Sequence, residues 1–157
     1  MKEQSVMVPL NLPNAELKLK KKANQIYVWD IFRKSDLLLT REEWVRQHLL
    51  HYLVNHLQYP VHFIASEFKI EVNKLTRRCD GVVFDKQGTP KMIIECKEPR
   101  VKIDEKVLHQ VAQYNYALNV DYILLTNGLI TVTVYLNRNE NTLEYLEMIP
   151  DYHQICH

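Results

Sequence analysis

Three residues, Asp80, Glu95 and Lys97, are the side chains of this sequence best suited to chemistry. Asp80 opens one apolar run, and Glu95 and Lys97 close the next. Two carboxylates that face each other across neighbouring strands repel, and a divalent cation that prefers oxygen ligands would cancel the repulsion. A lysine beside such an ion can position a water or stabilise charge that develops on a phosphate. The pattern therefore indicates a metal-dependent hydrolytic site.

The position of these residues depends on a hairpin. The runs 79–84 and 92–96 are expected to be strands joined by a tight turn. With the turn midway between the runs, Asp80 lies opposite Glu95, and their Cβ atoms are about 5 Å apart. Glu95 and Lys97 share a face because side chains alternate along a strand. The alternative to a metal site is a simple salt bridge from Lys97 to Asp80 or Glu95, which accounts for the same spacing.

A long helix before the hairpin supplies two further candidates. Thr40 and Glu43 fit a capping box, and the apolar spacing that follows predicts a helix that ends before Pro60. Glu43 is either the partner of the cap or a further metal ligand. Arg46, one turn later, either reaches a phosphate or extends past the start of the helix into solvent.

A second helix is predicted from a cap at Asp104 to about Leu118. Its apolar stripe includes Gln110, with Tyr114 one turn further on. Gln110 either faces the sheet, where it could bind a phosphate or a water on the metal, or reaches solvent at the margin of the stripe. The helix leads to another apolar strand, so a parallel crossover and a mixed α/β sheet are expected. The other strands are predicted over 66–73, 122–125, 130–136 and 143–146.

Length and composition favour one domain. The chain has 157 residues, of which 46% are hydrophobic and 25% charged. Residues 1–25 are interpreted as a polar leader with a basic run at Lys18 and 20–22, which is either a solvated tail or a contact to phosphate. Residues 26–157 would form a single domain that opens with a short strand or extended arm at 26–29.

Charge and motifs exclude several classes. A formal net charge of +1 argues against nonspecific coating of nucleic acid, although a local patch could bind DNA. The three glycines cannot form a nucleotide-binding fingerprint or a phosphate loop, so no ATP site is expected in this chain. The sequence lacks a membrane-length apolar run and a signal-peptide pattern, which predicts no membrane association and a cytoplasmic location.

Several segments together resemble a known family, the N-terminal nuclease domain of type I restriction enzyme restriction subunits, within the PD-(D/E)xK superfamily. Residue 79 is Cys where the motif's name has Pro. The resemblance covers roughly residues 26–150, and the segments that carry it are 30–34, 39–47, 78–84, 93–99, 110–114 and 126–128.

The resemblance implies a restriction-endonuclease-like α/β/α core and DNA hydrolysis that depends on Mg²⁺, with Mn²⁺ as a possible substitute. DNA is the implied substrate, and a homodimer or separate restriction-system subunits are the expected partners. The family's ATP-dependent translocase does not occur within these residues, so a catalytically silent DNA-binding or protein-interaction module is the alternative. The implied roles are metal ligation by Asp80, Glu95 and Glu43, catalysis by Asp80, Glu95, Lys97 and Gln110, and DNA contact by Tyr114 and Arg46.

Overall fold

The computed structural model describes residues 6–157, apart from the side chain of Tyr116. No helix within this part of the chain is long and apolar enough to cross a membrane. The strands are β1 (Leu19–Lys22), β2 (Gln25–Asp30), β3 (Ser35–Leu38), β4 (Ile64–Val72), β5 (Leu75–Phe84), β6 (Pro90–Cys96), β7 (Tyr122–Thr126), β8 (Thr131–Asn137) and β9 (Thr142–Leu146). The helices are α1 (Arg41–His56), α2 (Glu105–Ala112), α3 (Asn115–Leu118) and α4 (Tyr152–Ile155), with a 3₁₀ turn at Val61–Phe63.

A six-stranded sheet forms the centre of the fold. Its strand order is β4-β5-β6-β7-β8-β9. The β6–β7 pair is parallel and the other four neighbouring pairs are antiparallel. The parallel pair is joined through α2, which confirms the predicted crossover and the mixed sheet.

Helices cover both faces of this sheet. On one face α1 packs its apolar side, including Leu49 and Leu53, against Ile94 of β6 and Leu124 of β7, and α4 completes the layer. On the other face the α2 side chains Leu108 and Val111 pack against the sheet. The result is the predicted α/β/α sandwich, with the β5–β6 hairpin at its centre.

The start of α1 shows how the first helix is set. The Thr40 hydroxyl accepts a hydrogen bond from the backbone N–H of Glu43 at 3.0 Å, which confirms the predicted cap. The helix ends at His56, before Pro60, as expected. Gln47 is also buried, although the sequence did not predict it, and the segment before β1 contributes Leu10 to the core beneath α1.

The second helix is shorter than predicted. Its cap at Asp104 is confirmed by a 3.0 Å hydrogen bond from the Val107 N–H. Regular helix stops at Ala112, and a separate turn of helix follows over Asn115–Leu118. A left-handed residue, Asn119, ends that turn and redirects the chain into β7. The helical segment ends at Leu118 as predicted, but the expectation of a single unbroken helix is wrong.

A second sheet of three strands, with the order β1-β2-β3, precedes α1. The strand expected at 26–29 is present as β2, whereas β1 and β3 were not predicted. The described part of the leader is ordered against the domain, where the Asn11 N–H donates to the Gly128 carbonyl at 2.7 Å. Residues 1–5 of the predicted leader lie outside the described residues, and the boundary at residue 25 stays a prediction.

Two glycines with similar backbone angles test this docking of the N-terminal segment. Gly88 and Gly128 have φ of 82° and 86°, but an added Cβ would meet nothing at Gly88 and would lie 2.7 Å from Leu10 at Gly128. Gly88→Ala should cost about 1 kcal/mol from backbone strain alone. Gly128→Ala should cost more and increase hydrogen exchange at Asn11. Equal losses of stability in urea unfolding would show that Leu10 does not pack there.

Candidate active site

The carboxylate pair, Asp80 and Glu95, lies where the β5–β6 ladder ends. Gly81 pairs with Ile94, which confirms the predicted register of the hairpin. The ladder does not continue to the predicted Asp80–Glu95 pair; instead the Asp80 Oδ2 accepts the backbone N–H of Cys96 at 2.6 Å. Burial raises the pKa of Asp80, although this N–H acts in the opposite direction. The carboxylate is thus held rigidly at the end of the strand pair.

Glu95 has one oxygen in a contact and one without a partner. The residue is 7% exposed, and Lys97 Nζ lies 3.4 Å from Oε1. Glu95 and Lys97 therefore share a face, as predicted. The buried Oε2 has no hydrogen-bond partner among the described residues. Burial, followed by repulsion from Asp80, raises the pKa of Glu95 to about 8. An oxygen in this state is suited to a cation, because ligation would offset both effects.

Arg46 is buried next to Asp80 of the carboxylate pair. Its side chain is 4% exposed, so the alternative in which Arg46 extends into solvent is wrong. The guanidinium contacts both carboxyl oxygens of Glu43 and lies 2.7 Å from Glu67 and 3.7 Å from Asp80. Burial lowers the pKa of Arg46, but these carboxylates outweigh burial and raise it. Contact between Arg46 and DNA stays a prediction, and its burial favours a role in positioning Asp80.

Glu43 makes a different set of contacts from the one expected of a capping box. Its backbone N–H satisfies the Thr40 cap, while its side chain binds Arg46 and accepts from Gln47 Nε2 at 2.9 Å. Both partners lie one turn further along the same helix, so they are the nearest donors to the carboxylate. Metal ligation by Glu43 stays a prediction, and it would require Glu43 to leave Arg46.

Glu67 is a member of this cluster that the sequence did not reveal. It falls opposite Asp80 in the β4–β5 ladder, between two regular pairs, and its φ is 54°. A left-handed conformation inside a strand costs about 1–3 kcal/mol for a residue other than glycine. The Glu67 carboxylate contacts Arg46, Arg78 at 3.0 Å and Arg33 at 3.7 Å. The alternation of β4 predicts only that Glu67 lies on the polar side of the strand. It does not predict these contacts, because the three arginines come from separate parts of the fold.

Three other residues border the site to different degrees. Tyr114 lies near Glu95, since partial burial and then the Glu95 charge raise the pKa of the phenol. Glu42 is also close, and partial burial followed by Asp80 raises its pKa. The acidic first turn of α1 was the available signal for Glu42. Gln110 is exposed, which favours the alternative in which it lies at the margin of the apolar stripe and reaches solvent. A role for Gln110 in catalysis stays a prediction.

The donor set can be compared with the needs of a metal ion. Within residues 6–157, no three His, Cys, Asp or Glu side chains form a group that could hold a metal. Mg²⁺ is commonly bound by one or two carboxylates and keeps several waters. Asp80 and Glu95 fit that requirement, because the free oxygen of Glu95 is a hard donor already removed from water.

The surroundings of the site are basic on the solvent side. The side chains of Lys97, Arg33 and Arg78, here called the basic rim, are 30%, 31% and 58% exposed. A cavity of about 620 Å³ between α2, α3 and the β8–β9 hairpin is lined by none of the rim residues or carboxylates. The site therefore meets solvent beside exposed cations and lies apart from that cavity.

The sandwich and its carboxylate pair define a class of protein. A mixed sheet between helical layers, with Asp80 and the Glu95–Lys97 strand at its centre, is the restriction-endonuclease-like fold. Residues 41–150 match the family model described as the type I restriction enzyme R protein N terminus (HSDR_N), and the chain belongs to that family. The match begins after the 30–34 segment, which the resemblance had included. A comparison with curated proteins gave no match.

The importance of Arg46 can be tested against a matched arginine. Arg46 and Arg78 both contact Glu67, but only Arg46 is buried. Arg46→Met should cost about 3–5 kcal/mol in urea unfolding, because it leaves buried carboxylates without their cation. Arg78→Met should cost about 1 kcal/mol or less, as exposed pairs do. Similar losses of stability in both variants would contradict the conclusion that the buried Arg46 stabilises the carboxylates around it.

Replacing Glu95 with Gln should stabilise the metal-free protein at high pH. Burial raises the pKa of Glu95 from 4.5 to about 8. Between these values the folded protein keeps a proton that the unfolded chain has released, so wild-type stability falls as the pH rises. Gln has no charge, so Glu95→Gln should be more stable than wild type by roughly 2–4 kcal/mol near pH 8.

Urea unfolding in EDTA at pH 5 and pH 8 measures this difference. Glu71 of β4 is exposed, and Glu71→Gln serves as the control with little change at either pH. An equal effect of Glu95→Gln at both values would mean that Glu95 is ionised without a metal.

Proposed function

We propose that this domain is a metal-dependent DNA endonuclease of a restriction system. The observation that carries the proposal is the buried carboxylate pair, in which one Glu95 oxygen has no partner and Lys97 lies 3.4 Å from the other. A buried, repelling pair destabilises the fold unless a cation is held there. Membership of the type I restriction enzyme R protein N terminus family supports a substrate of DNA.

Different residues would have different roles in phosphodiester hydrolysis. Asp80, Glu95 and the backbone carbonyl of Cys96 would hold Mg²⁺ or Mn²⁺, which when bound stabilises negative charge on the phosphate. Lys97 would orient the attacking water. In-line attack forms a bond from the water oxygen to phosphorus and breaks the bond to the leaving oxygen. The products are a 5′-phosphate and a 3′-hydroxyl, which takes up a proton.

The basic rim supports a polyanionic substrate. Arg33 and Arg78 hold Glu67 from its solvent side, and their exposed guanidinium groups can exchange that carboxylate for a DNA phosphate. Cleavage of both strands requires two active sites. A homodimer or association with separate restriction-system subunits would supply the second, and both belong to this proposal.

The proposal predicts Mg²⁺-dependent cleavage that is lost on changing Lys97. With Mg²⁺ or Mn²⁺, the purified protein should cut duplex DNA, and Lys97→Ala should slow cleavage by about 100-fold or more. Glu95→Ala should also remove metal binding, measured by calorimetry with Mn²⁺. Lys91→Ala, in β6 and before the E-x-K segment, is the matched control and should cut at the wild-type rate.

Two results would contradict the assignment. Cleavage that Lys97→Ala or Glu95→Ala leaves intact would place the chemistry elsewhere. Cleavage that persists in EDTA would remove the role of the metal. Unfolding curves for each variant separate a loss of chemistry from a loss of folding.

A silent module that binds DNA or protein is the second candidate. The observation in its favour is the engagement of Glu43 with Arg46 and Gln47, which leaves two carboxylates at the metal site. That candidate predicts measurable DNA binding, weak Mn²⁺ binding and no cleavage at any metal concentration. The Asp80→Asn variant would then bind DNA as the wild-type protein does.

A further inference from the structure

One face of the small sheet (β1–β3) carries a row of exposed lysines beside aromatic rings. Lys20 pairs with Tyr27, and Lys22 pairs with Gln25. The Lys18 carbonyl accepts the Trp29 N–H at 2.9 Å, which places Lys18 and Trp29 opposite each other. Directly opposed residues in an antiparallel pair share a face, so the three lysines and both rings lie together.

The charge of this face is strongly positive. Alternate residues of a strand are about 7 Å apart, so the three lysines form an evenly spaced line along β1 and the residue before it. Asp36 is the acidic residue that the three strands place on this face, and it lies 3.6 Å from Lys20. The whole chain has a net charge of only +1, so this line is a local excess of cations. Trp29 is also exposed and provides flat apolar surface beside the cations.

The small sheet is continuous with the candidate active site at the β2–β3 turn. Arg33 in that turn binds Asp30 at 3.2 Å and reaches Glu67 at 3.7 Å. Glu67 in turn contacts Arg46, which lies 3.7 Å from Asp80. The Lys18–Trp29 pair, at one end of the lysine row, lies at the end of β2 next to this turn, and Arg33 of the turn belongs to the basic rim.

We propose that the exposed face of the small sheet binds the sugar-phosphate backbone of DNA beside the cleavage site. The lysines would contact successive phosphates, and Trp29 would pack against the strand between them. Such contacts carry no sequence information but add affinity and fix the orientation of the duplex. This inference rests on the proposed function for its ligand, and it assigns a second contact surface outside the carboxylate pair.

The test compares two triple variants with equal loss of charge. The row variant is Lys18→Gln/Lys20→Gln/Lys22→Gln. The control variant is Lys74→Gln/Lys86→Gln/Lys106→Gln. These exposed lysines lie in the β4–β5 turn, the β5–β6 turn and α2. Anisotropy of a labelled duplex in EDTA measures binding without cleavage. The row variant should raise Kd about tenfold at 0.1 M salt and lower the salt slope by up to about 3, relative to wild type and control.

Two further readouts separate this surface from the catalytic site. With Mg²⁺, the row variant should raise KM and leave the rate at saturating DNA unchanged. DNA should alter the fluorescence of the wild-type protein but not of Trp29→Phe, because the remaining Trp44 is bound to the Val8 carbonyl within the fold.

Equal Kd values for the row and control variants would overturn the inference and make the basic run a solvated strand. Failure of the wild-type protein to cleave, with affinity still lost in the row variant, would count against the nuclease proposal alone. A wild-type protein that binds no DNA would overturn both.

Discussion

The burial of negative charge beside Arg46 is the interaction on which the candidate site depends. Asp80 and Glu95 are removed from water at the centre of the sheet, where each charge is costly. Arg46 offsets part of that cost through Glu43, Glu67 and Asp80, but it does not contact the second Glu95 oxygen. The fold therefore keeps a buried carboxylate oxygen of Glu95 without a partner, which a structural salt bridge alone does not explain.

The surrounding architecture explains why this charge can be held. The β5–β6 hairpin is inside the sheet, so its backbone is rigid and its neighbours are apolar. The start of α1 brings Arg46 to the same point, and the irregular backbone at Glu67 turns a further carboxylate towards it. Strain at Glu67 and charge at Glu95 both lower stability, and features of this kind concentrate at functional sites.

Much of the fold could be predicted because its signals are local. Apolar spacing and the Thr40 cap located α1, the turn after β5 set the hairpin register, and the helix between two apolar runs indicated the parallel crossover. Signals of longer range were missed. β1 and β3 are mostly exposed and lack a clear apolar alternation, and neither Gly nor Pro marks the break after Ala112 in the sequence.

The sequence by itself determined the chemistry available to this protein: an Asp in one strand, an E-x-K at the end of the next, and the family to which these belong. Only the tertiary structure decided which of these side chains contact one another. It paired Glu43 with Arg46 rather than with the carboxylates, brought Glu67 to the cluster and left the Glu95 oxygen free. The reason is that periodicity assigns a side chain to a face, whereas a contact depends on how separate elements pack in space.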